Sequence, residues 1–228
     1  MTELVHKDAP GDDPNRTAEL VLDSIEIDWK MLLSLLVPEF LEAGKQGVDE
    51  LIAGLGLDKF VSWDDVAPDV QRYADIRAAE LIGMHRREDG IYVPSTVPGI
   101  AITDTTRDML RTTVRDAIAE GSTAAELQTA IIDNYAFSPA RALAIARTET
   151  AFARNHGQLI AARASGVCRR KRWELGEEAC EECQALAALG WIDIALDFPG
   201  GIIAPPLHPN CVCSLGYEVS GRRGEQQK

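Results

Sequence analysis

The sequence predicts an α+β fold that is mainly helical, with an N-terminal helical region followed by a compact helical domain that carries a small β element and a Cys/His cluster. Two observations favour helices: aromatic residues make up only 6% of the chain, and its apolar residues recur every three to four positions. In the last third this period is lost, and four of the five cysteines fall within residues 180–213. A chain of 228 residues can bury a sizeable core in one domain or two.

The first half is predicted to contain three helices after a polar segment, residues 1–16, that we expect to be a disordered tail. The helices cover about residues 16–36, 39–55 and 63–85, with Pro38 as the break between the first two and Ser62 as the N-cap of the third. Gly90, Pro94 and Pro98 then predict a linker over about residues 88–98.

The second half begins with clear helix-boundary signals. Gly121 is predicted to end a helix that covers about residues 104–120. Thr123 and Glu126 form a capping box for the next helix, which runs to about Tyr135.

A long helix follows, with Ser138 as its N-cap, Pro139 as its first residue and Gly166 after its end. Beyond Gly166 the pattern changes and becomes β-like around Trp173. It predicts a strand over 168–175, a short helix over 179–189, a loop over 191–206 and a final strand over 211–219.

The net charge of −13 is unevenly distributed, because the first 100 residues contribute −11 of it. We therefore place a domain boundary in the linker. The predicted segments are a tail, an acidic helical region, a C-terminal domain and a second tail, at residues 1–16, 17–90, 99–219 and 220–228. An acidic half is repelled by nucleic acid and suits docking on another protein. Its long apolar stripes lead us to expect that the acidic helices dock on a partner.

The sequence contains no recognisable targeting signal, so the protein is expected to begin in the cytoplasm. No run of about 18 apolar residues predicts a membrane-spanning helix, and the polar N-terminus resembles neither a signal peptide nor a transit peptide. In a reducing compartment thiols ligate metals more readily than they form disulfides.

The cysteines form two close pairs, Cys180 with Cys183 and Cys211 with Cys213, separated by 27 residues. This spacing is typical of a structural zinc site. If Cys211 and Cys213 lie in a regular strand, both face one side at separate depths, so joint ligation needs a bulge or a tight turn. Otherwise one of them ligates and His208 supplies the fourth position. Four thiolates, or three thiolates and His208, are thus both open, with disulfides or buried free thiols as the alternatives to zinc.

Several motifs in a fixed order carry a family resemblance. They are IARTE at residues 145–149, a basic strand with Trp173, the pair Cys180 and Cys183, and PPLHPNCVC at residues 205–213. From about residue 100 to 219 the chain resembles the phage Mu F-like minor head protein family, also called head morphogenesis proteins. Val212 departs from the family pattern, which usually has Arg between the last two cysteines.

The resemblance implies a minor capsid protein of a tailed phage or prophage, present in few copies and associated with the portal. It implies a role in head assembly, DNA packaging or ejection, in the virion and in the host cytoplasm during assembly. The implied partners are the portal protein and inner capsid proteins, with packaged DNA as a further candidate. Neither an enzymatic reaction, a small-molecule substrate nor a membrane is expected.

Within the IARTE motif, Arg147 and Glu149 point in nearly opposite directions on a helix. Glu149 falls on the stripe expected to be buried, so it needs a partner. We expect structural or partner-contact roles for Arg147, Thr148, Glu149 and Trp173. Glu149 would form an internal salt bridge or hydrogen bond that joins this helix to the Cys-rich segment. The rival interpretation is an enzyme that uses Arg147 and Glu149.

The basic run is the other candidate contact site, and it consists of Arg169, Arg170, Lys171 and Arg172. It suits DNA phosphate or an acidic partner surface, as in a zinc-ribbon-like nucleic-acid-binding module. The alternative is a solvated edge strand protected by charge. His85 and His156 have no companion ligand in the sequence, and both are expected to be ordinary helix residues.

Overall fold

The computed structural model describes residues 29–95 and 101–220. The tail predicted over residues 1–16, the first part of the helix predicted over 16–36 and all but the first residue of the C-terminal tail lie outside the described residues. The helices are α1 (Trp29–Leu55), α2 (Trp63–Leu81), α3 (Ile102–Glu120), α4 (Ala124–Ile132), α5 (Pro139–Ala164) and α6 (Glu181–Ala188). The strands are β1 (Met84–Arg86), β2 (Tyr92–Pro94), β3 (Cys168–Glu174), β4 (Ile192–Asp193) and β5 (Ser214–Val219). The predicted α+β class with mainly helical content is confirmed.

The predicted break at Pro38 is wrong, because α1 runs through it without interruption. A proline inside a helix removes one hydrogen bond and costs about 3 kcal/mol. Pro38 is exposed, so the carbonyl that loses its partner can face water. Apolar residues elsewhere on the same helix, such as Phe40 and Val48, are buried. Their burial offsets the cost of the proline.

Helix α2 begins where the sequence predicted, after Ser62. The backbone N–H and the hydroxyl of Ser62 both donate to the Asp65 carboxylate, at 2.8 and 2.7 Å. The helix ends at Leu81 rather than near His85, since Gly83 adopts a left-handed conformation with φ 74°.

The chain after α2 forms a β-hairpin that the sequence analysis missed. His85 lies in β1 opposite Val93 of β2, so its prediction as a helix residue is wrong. Gly90, with φ 83°, allows the turn between the two strands. The first part of the predicted linker is therefore paired backbone. Three-residue strands are too short for a period of two to be read from the sequence.

The predicted caps in the second half are confirmed. Gly121 follows α3 in the left-handed conformation, and its N–H donates to the carbonyls of Ala117 and Ile118. Thr123 and Glu126 form both hydrogen bonds of the capping box. The Ser138 hydroxyl accepts from the backbone N–H of Arg141 at 3.1 Å.

By packing, the chain divides into two compact units. The described residues of the first are 29–33, 79–95 and 101–143, and those of the second are 34–78 and 144–220. The predicted domain boundaries, drawn from charge and family resemblance, stay a prediction. By packing, however, residues 34–78 of the acidic region belong with the C-terminal residues rather than forming a unit of their own.

In the first unit, the buried guanidinium of Arg141 holds α3 and the short 3₁₀ turn Tyr135–Phe137 together. It donates to the hydroxyls of Thr105 and Thr106, at 2.7 and 2.9 Å, and to the carbonyl of Ala136 at 2.9 Å. A buried cation needs such acceptors, since each unmet donor costs free energy.

The second unit contains a three-stranded antiparallel sheet in the order β4-β3-β5. One core lies between α1, α2, α5 and β3, and its buried members are Val48, Leu51, Leu57, Val61, Val66, Val70, Ala161, Ala162 and Cys168. The apolar stripes of α1 and α2, which we expected to need a partner protein, are thus largely covered within the chain. A second core surrounds the Cys/His cluster.

Three glycines let α1 and α5 cross with their backbones in contact. A Cβ on Gly157 of α5 would lie 2.0 Å from the carbonyl oxygen of Gly44 in α1. A Cβ on Gly47 would lie 2.2 Å from the carbonyl oxygen of Arg154. Neither contact can be relieved by a side-chain movement, because the obstructing atoms belong to the backbone. Glycines that weaken an isolated helix are therefore required by this crossing.

We predict that Gly157→Ala lowers the free energy of unfolding by about 2–3 kcal/mol, because the two helices must move apart. Gly54→Ala is the matched control, since Gly54 also lies in α1 but has no atom within 4 Å of an added Cβ. Alanine there should stabilise the protein by about 0.5–1 kcal/mol. Urea denaturation of both variants measures the difference, and equal stability would contradict the close crossing.

Candidate metal centre and the adjacent groove

The two cysteine pairs and His208 come together in the second unit. The Sγ of Cys180 lies 3.2 Å from the Nε2 of His208, and the Sγ of Cys183 lies 3.8 Å from the same nitrogen. The Sγ of Cys183 is also 3.7 Å from that of Cys211. These four residues, together with Cys213, are called the Cys/His cluster below. All five cysteines of the chain are free thiols in the structure.

The ligand atoms form two overlapping groups that share Cys183. Cys180, Cys183 and His208 form one group and Cys183, Cys211 and Cys213 the other, each with its atoms within 4.8 Å of one another. A tetrahedral zinc site with Zn–S bonds of about 2.3 Å holds its ligand atoms roughly 3.5–3.8 Å apart. The three distances measured above are close to that range. The cluster therefore has the donor types and the spacing to hold a metal ion.

Local structure explains how each pair reaches the cluster. Cys180 is the N-cap of α6, and its sulfur accepts from the backbone N–H of Cys183, so one helical turn brings both thiols to the same side. Cys211 and Cys213 lie before β5, not within it. Asn210 has φ 60°, and the N–H of Cys211 donates to the carbonyl of His208 at 3.1 Å. This tight turn removes the strand alternation that made joint ligation doubtful.

The electrostatic environment differs among the ligand atoms. Burial raises the pKa of the Cys183 thiol, whereas the backbone N–H of Cys183 lowers the pKa of the Cys180 thiol. The carbonyl of Pro209, 3.0 Å from the Nδ1 of His208, raises the pKa of the imidazole. This contact leaves Nε2 directed at the sulfurs, the arrangement usual for a metal-binding histidine.

Trp173 packs in the apolar core next to the Cys/His cluster. Its ring is only 2% exposed and meets the ring of Phe198 edge to face, with centroids 5.3 Å apart. Both rings belong to the apolar core that contains Cys183, Cys211 and Cys213. Trp173, singled out as a structural or partner residue, is thus placed in the core and not on the surface.

Glu149 lies in a buried ion pair. Its two carboxylate oxygens accept from the Nε and Nη2 of Arg77 in α2, both at 2.8 Å. The side chains of Arg77 and Glu149 are 15% and 10% exposed, and the guanidinium also lies 4.5 Å from the ring centroid of Phe152. The need for a partner was anticipated, but that partner is on α2 rather than in the Cys-rich segment. The sequence did contain an indication that Arg77 is this partner, since Arg77 continues the apolar stripe of Val70 and Ala74 along the helix.

Thr148, rather than Glu149, connects α5 to the Cys-rich segment. Its hydroxyl accepts from the backbone N–H of Asn210 at 3.0 Å and donates to the carbonyl of Ala144 at 2.7 Å. The hydrogen bond fixes the turn between His208 and Cys211. Asn210 was not among the predicted site residues, although asparagine is a residue type that tolerates the left-handed conformation.

Arg147 lies apart from Glu149, on an exposed face of α5. That face and the segment 210–214 enclose a groove of about 640 Å³. Its lining is Ala146, Arg147, Thr150, Ala151, Arg154, Asn155, Gln158, Asn210, Cys211, Val212, Cys213 and Ser214. The structure therefore does not bring Arg147 and Glu149 into one site, as an enzyme using both would need.

The side chains of the basic run, residues 169–172, lie partly in solvent and partly in the core. Lys171 is fully buried, and its ammonium donates to the carbonyl of Ile203 at 2.8 Å, beside the ring of Phe198. Burial lowers its pKa to about 8. Arg170 and Arg172 form ion pairs with Glu218 and Glu174. Arg169 is exposed.

The expectation of an edge strand for this run is wrong, because β3 is the central strand of its sheet. β4 and β5 pair with it on either side, and the register shifts between Cys168 and Arg170. The shift leaves Arg169 and Arg170 both exposed and turns Lys171 into the core. A continuous phosphate-binding surface is therefore not formed by the four side chains.

His156 is a core residue of α5. Its ring stacks on Tyr73 with centroids 4.4 Å apart, and its Nδ1 lies 3.0 Å from the carbonyl oxygen of Phe152. Burial lowers its pKa to about 4. A neutral, stacked imidazole away from the Cys/His cluster agrees with its prediction as an ordinary helix residue.

Residues 108–216 match the family model described as Phage Mu protein F like protein. The match spans just under half of the 228 residues and contains α5, β3 and the whole Cys/His cluster. No curated protein and no solved structure matches the chain. The family resemblance carried by the sequence motifs is confirmed.

Among the described helices, none combines the length and apolar character that crossing a membrane requires.

We predict that Glu149→Gln destabilises the fold by about 3 kcal/mol, because it leaves the guanidinium of Arg77 buried without its counter-charge. The double variant Arg77→Met with Glu149→Leu should be less destabilised than the sum of its single variants. Lys45→Ala is the control, since the pair of Lys45 and Asp49 is exposed to solvent and should contribute little to stability. A Glu149→Gln variant with unchanged melting temperature that loses a measurable turnover would contradict the structural role.

Proposed function

We propose that this chain, whose residues 108–216 match the phage Mu protein F like family, is a minor head protein of a tailed phage or prophage. The observation that carries the proposal is the family match, which includes the helix of Arg147 and the cluster. The protein would act in head assembly, or in DNA packaging or ejection, through contacts with the portal and inner capsid proteins. It would be made in the host cytoplasm and end in the virion.

We propose further that the Cys/His cluster holds one structural zinc ion. Cys180, Cys183 and His208 would supply three ligands and Cys211 the fourth, because its sulfur lies 3.7 Å from that of Cys183. Cys213, which lies in the second group with Cys183, is the alternative fourth ligand. With four protein ligands the metal has no position for a reacting water. Its contribution is to join α6 to the turn before β5, where little secondary structure holds the chain.

The two rival functions have less support. An enzyme would need Arg147 and Glu149 in one site, but both oxygens of Glu149 are bound by Arg77. A nucleic-acid-binding module would need a free basic surface, but Lys171 is buried and Arg170 and Arg172 are ion-paired. A formal charge of −13 also opposes binding to phosphates.

We predict that the purified, reduced protein contains about one zinc per chain, and that Cys180→Ser lowers the content by at least tenfold. Cys168→Ala is the matched control, because Cys168 is a buried thiol outside the cluster. It should retain its zinc. Elemental analysis with thiol titration measures both. A metal-free protein in which all five thiols titrate would overturn the zinc proposal.

We also predict that the protein is present in purified heads and copurifies with the portal ring. Quantitative mass spectrometry of density-purified heads should find it at few copies relative to the major capsid protein. Heads from a strain with the gene deleted and restored on a plasmid provide the control. Absence from heads, together with normal assembly in the deletion strain, would contradict the proposed function.

A further inference from the structure

We infer that the groove between α5 and residues 210–214 binds a short extended segment of a partner protein that carries a carboxylate. The inference rests on the proposed function only for the origin of that segment, which would be another head protein. The groove is a separate feature from the ligand atoms of the Cys/His cluster, although Cys211 and Cys213 form part of its wall.

The charge of the groove identifies its ligand as an anion. None of its twelve lining residues is acidic, although the whole chain carries −13. Arg147 and Arg154 lie along one wall, seven residues and therefore about 10.5 Å apart on the helix. The Nη2 of Arg154 donates to Glu50 at 2.5 Å, but a guanidinium has five N–H donors. Arg147 is exposed and offers a bidentate site for a carboxylate.

The apolar part of the groove favours a peptide over a nucleic acid. Ala146, which precedes Arg147, and Ala151, which lies between the two arginines, contribute small side chains to the lining, and Val212 on the opposite wall is 64% exposed. In a polyproline II segment, residues three positions apart point the same way and lie about 9 Å apart, so two acidic residues at that spacing would reach Arg147 and Arg154. Nucleic acid would need several phosphate contacts in line, and Arg170 and Arg172 of β3 are already paired with Glu218 and Glu174.

The walls of the groove are held in place before any ligand arrives. The hydroxyl of Thr148, on the same helix, accepts from the backbone N–H of Asn210, and the turn at Asn210 leads into Cys211. Buried Asn155 donates to the carbonyl of Ala151 within the helix. A preorganised groove loses little conformational entropy on binding, so a short segment can bind measurably.

The test uses the full-length, zinc-loaded, ¹⁵N-labelled chain and the peptide acetyl-Gly-Ala-Ala-Asp-Ala-Ala-Glu-Ala-Gly-amide. Its Asp and Glu are spaced to match the two arginines. Saturable shifts should map to amides of residues 146–158 and 210–214. The same peptide with Asn and Gln in place of the acids should bind at least about fivefold more weakly, the loss expected for a charge-assisted contact.

Arg147→Gln should weaken binding of the acidic peptide by at least about fivefold. Arg169→Gln is the matched control, since it removes the same charge from an exposed site outside the groove and should leave the affinity unchanged. Thr150→Glu is the second variant. It should also weaken binding of the acidic peptide, because it places a competing carboxylate one turn from Arg147. All three side chains are exposed, and unchanged melting temperatures check folding.

Several results would overturn the inference: no saturable shifts, shifts that map outside the groove, or equal weakening by Arg147→Gln and Arg169→Gln. Tighter binding of twelve-residue oligothymidylate to the same amides would overturn it in favour of a phosphate-binding groove. Presence of the protein in heads is measured independently. A failure here with the protein still found in heads rejects only the groove, whereas absence from heads rejects the proposed function.

Discussion

The contact on which the rest of the second unit depends is the crossing of α1 and α5 at Gly44, Gly47 and Gly157. The two backbones touch there, with no side chain to adjust the distance. Such a contact sets the position of α5 along α1 as well as its distance. Because the rise and rotation of a helix are regular, fixing Gly157 also fixes the turns of α5 that precede it. Residues 147–149 occupy those turns, so their surroundings follow from a contact more than two turns away.

Three consecutive residues of α5 serve three different parts of the molecule for this reason. Successive side chains on a helix point about 100° apart. Arg147 therefore faces the groove, Thr148 binds the turn at Asn210, and Glu149 pairs with Arg77 of α2. Residues 147–149, which look like one site in the sequence, therefore contact three different parts of the unit. They connect the helical part of the unit to the Cys-rich part and leave one arginine available for a partner.

The Cys-rich part has little regular secondary structure of its own, and contacts between side chains hold its loop in place. A three-stranded sheet with one two-residue strand buries too little to hold the long loop between α6 and β5. The edge-to-face pair of Trp173 and Phe198, the ammonium of Lys171 and the Cys/His cluster supply contacts to that loop. A metal in the cluster would add bonds where the chain has little regular secondary structure, which is the usual setting of a structural zinc site.

By itself, the sequence determined the features that depend on neighbours within about four residues. The capping box of Thr123 and Glu126, the helix start at Ser138 and the stop at Gly121 are of this kind, and all are present. The spacing of the cysteines likewise predicted which thiols can converge. Tertiary structure alone decided the partner of Glu149, the burial of Lys171, the continuity of α1 through Pro38 and the role of its glycines. Each of these depends on atoms from segments distant in sequence, whose packing changes the cost of a charge, a proline or a missing side chain.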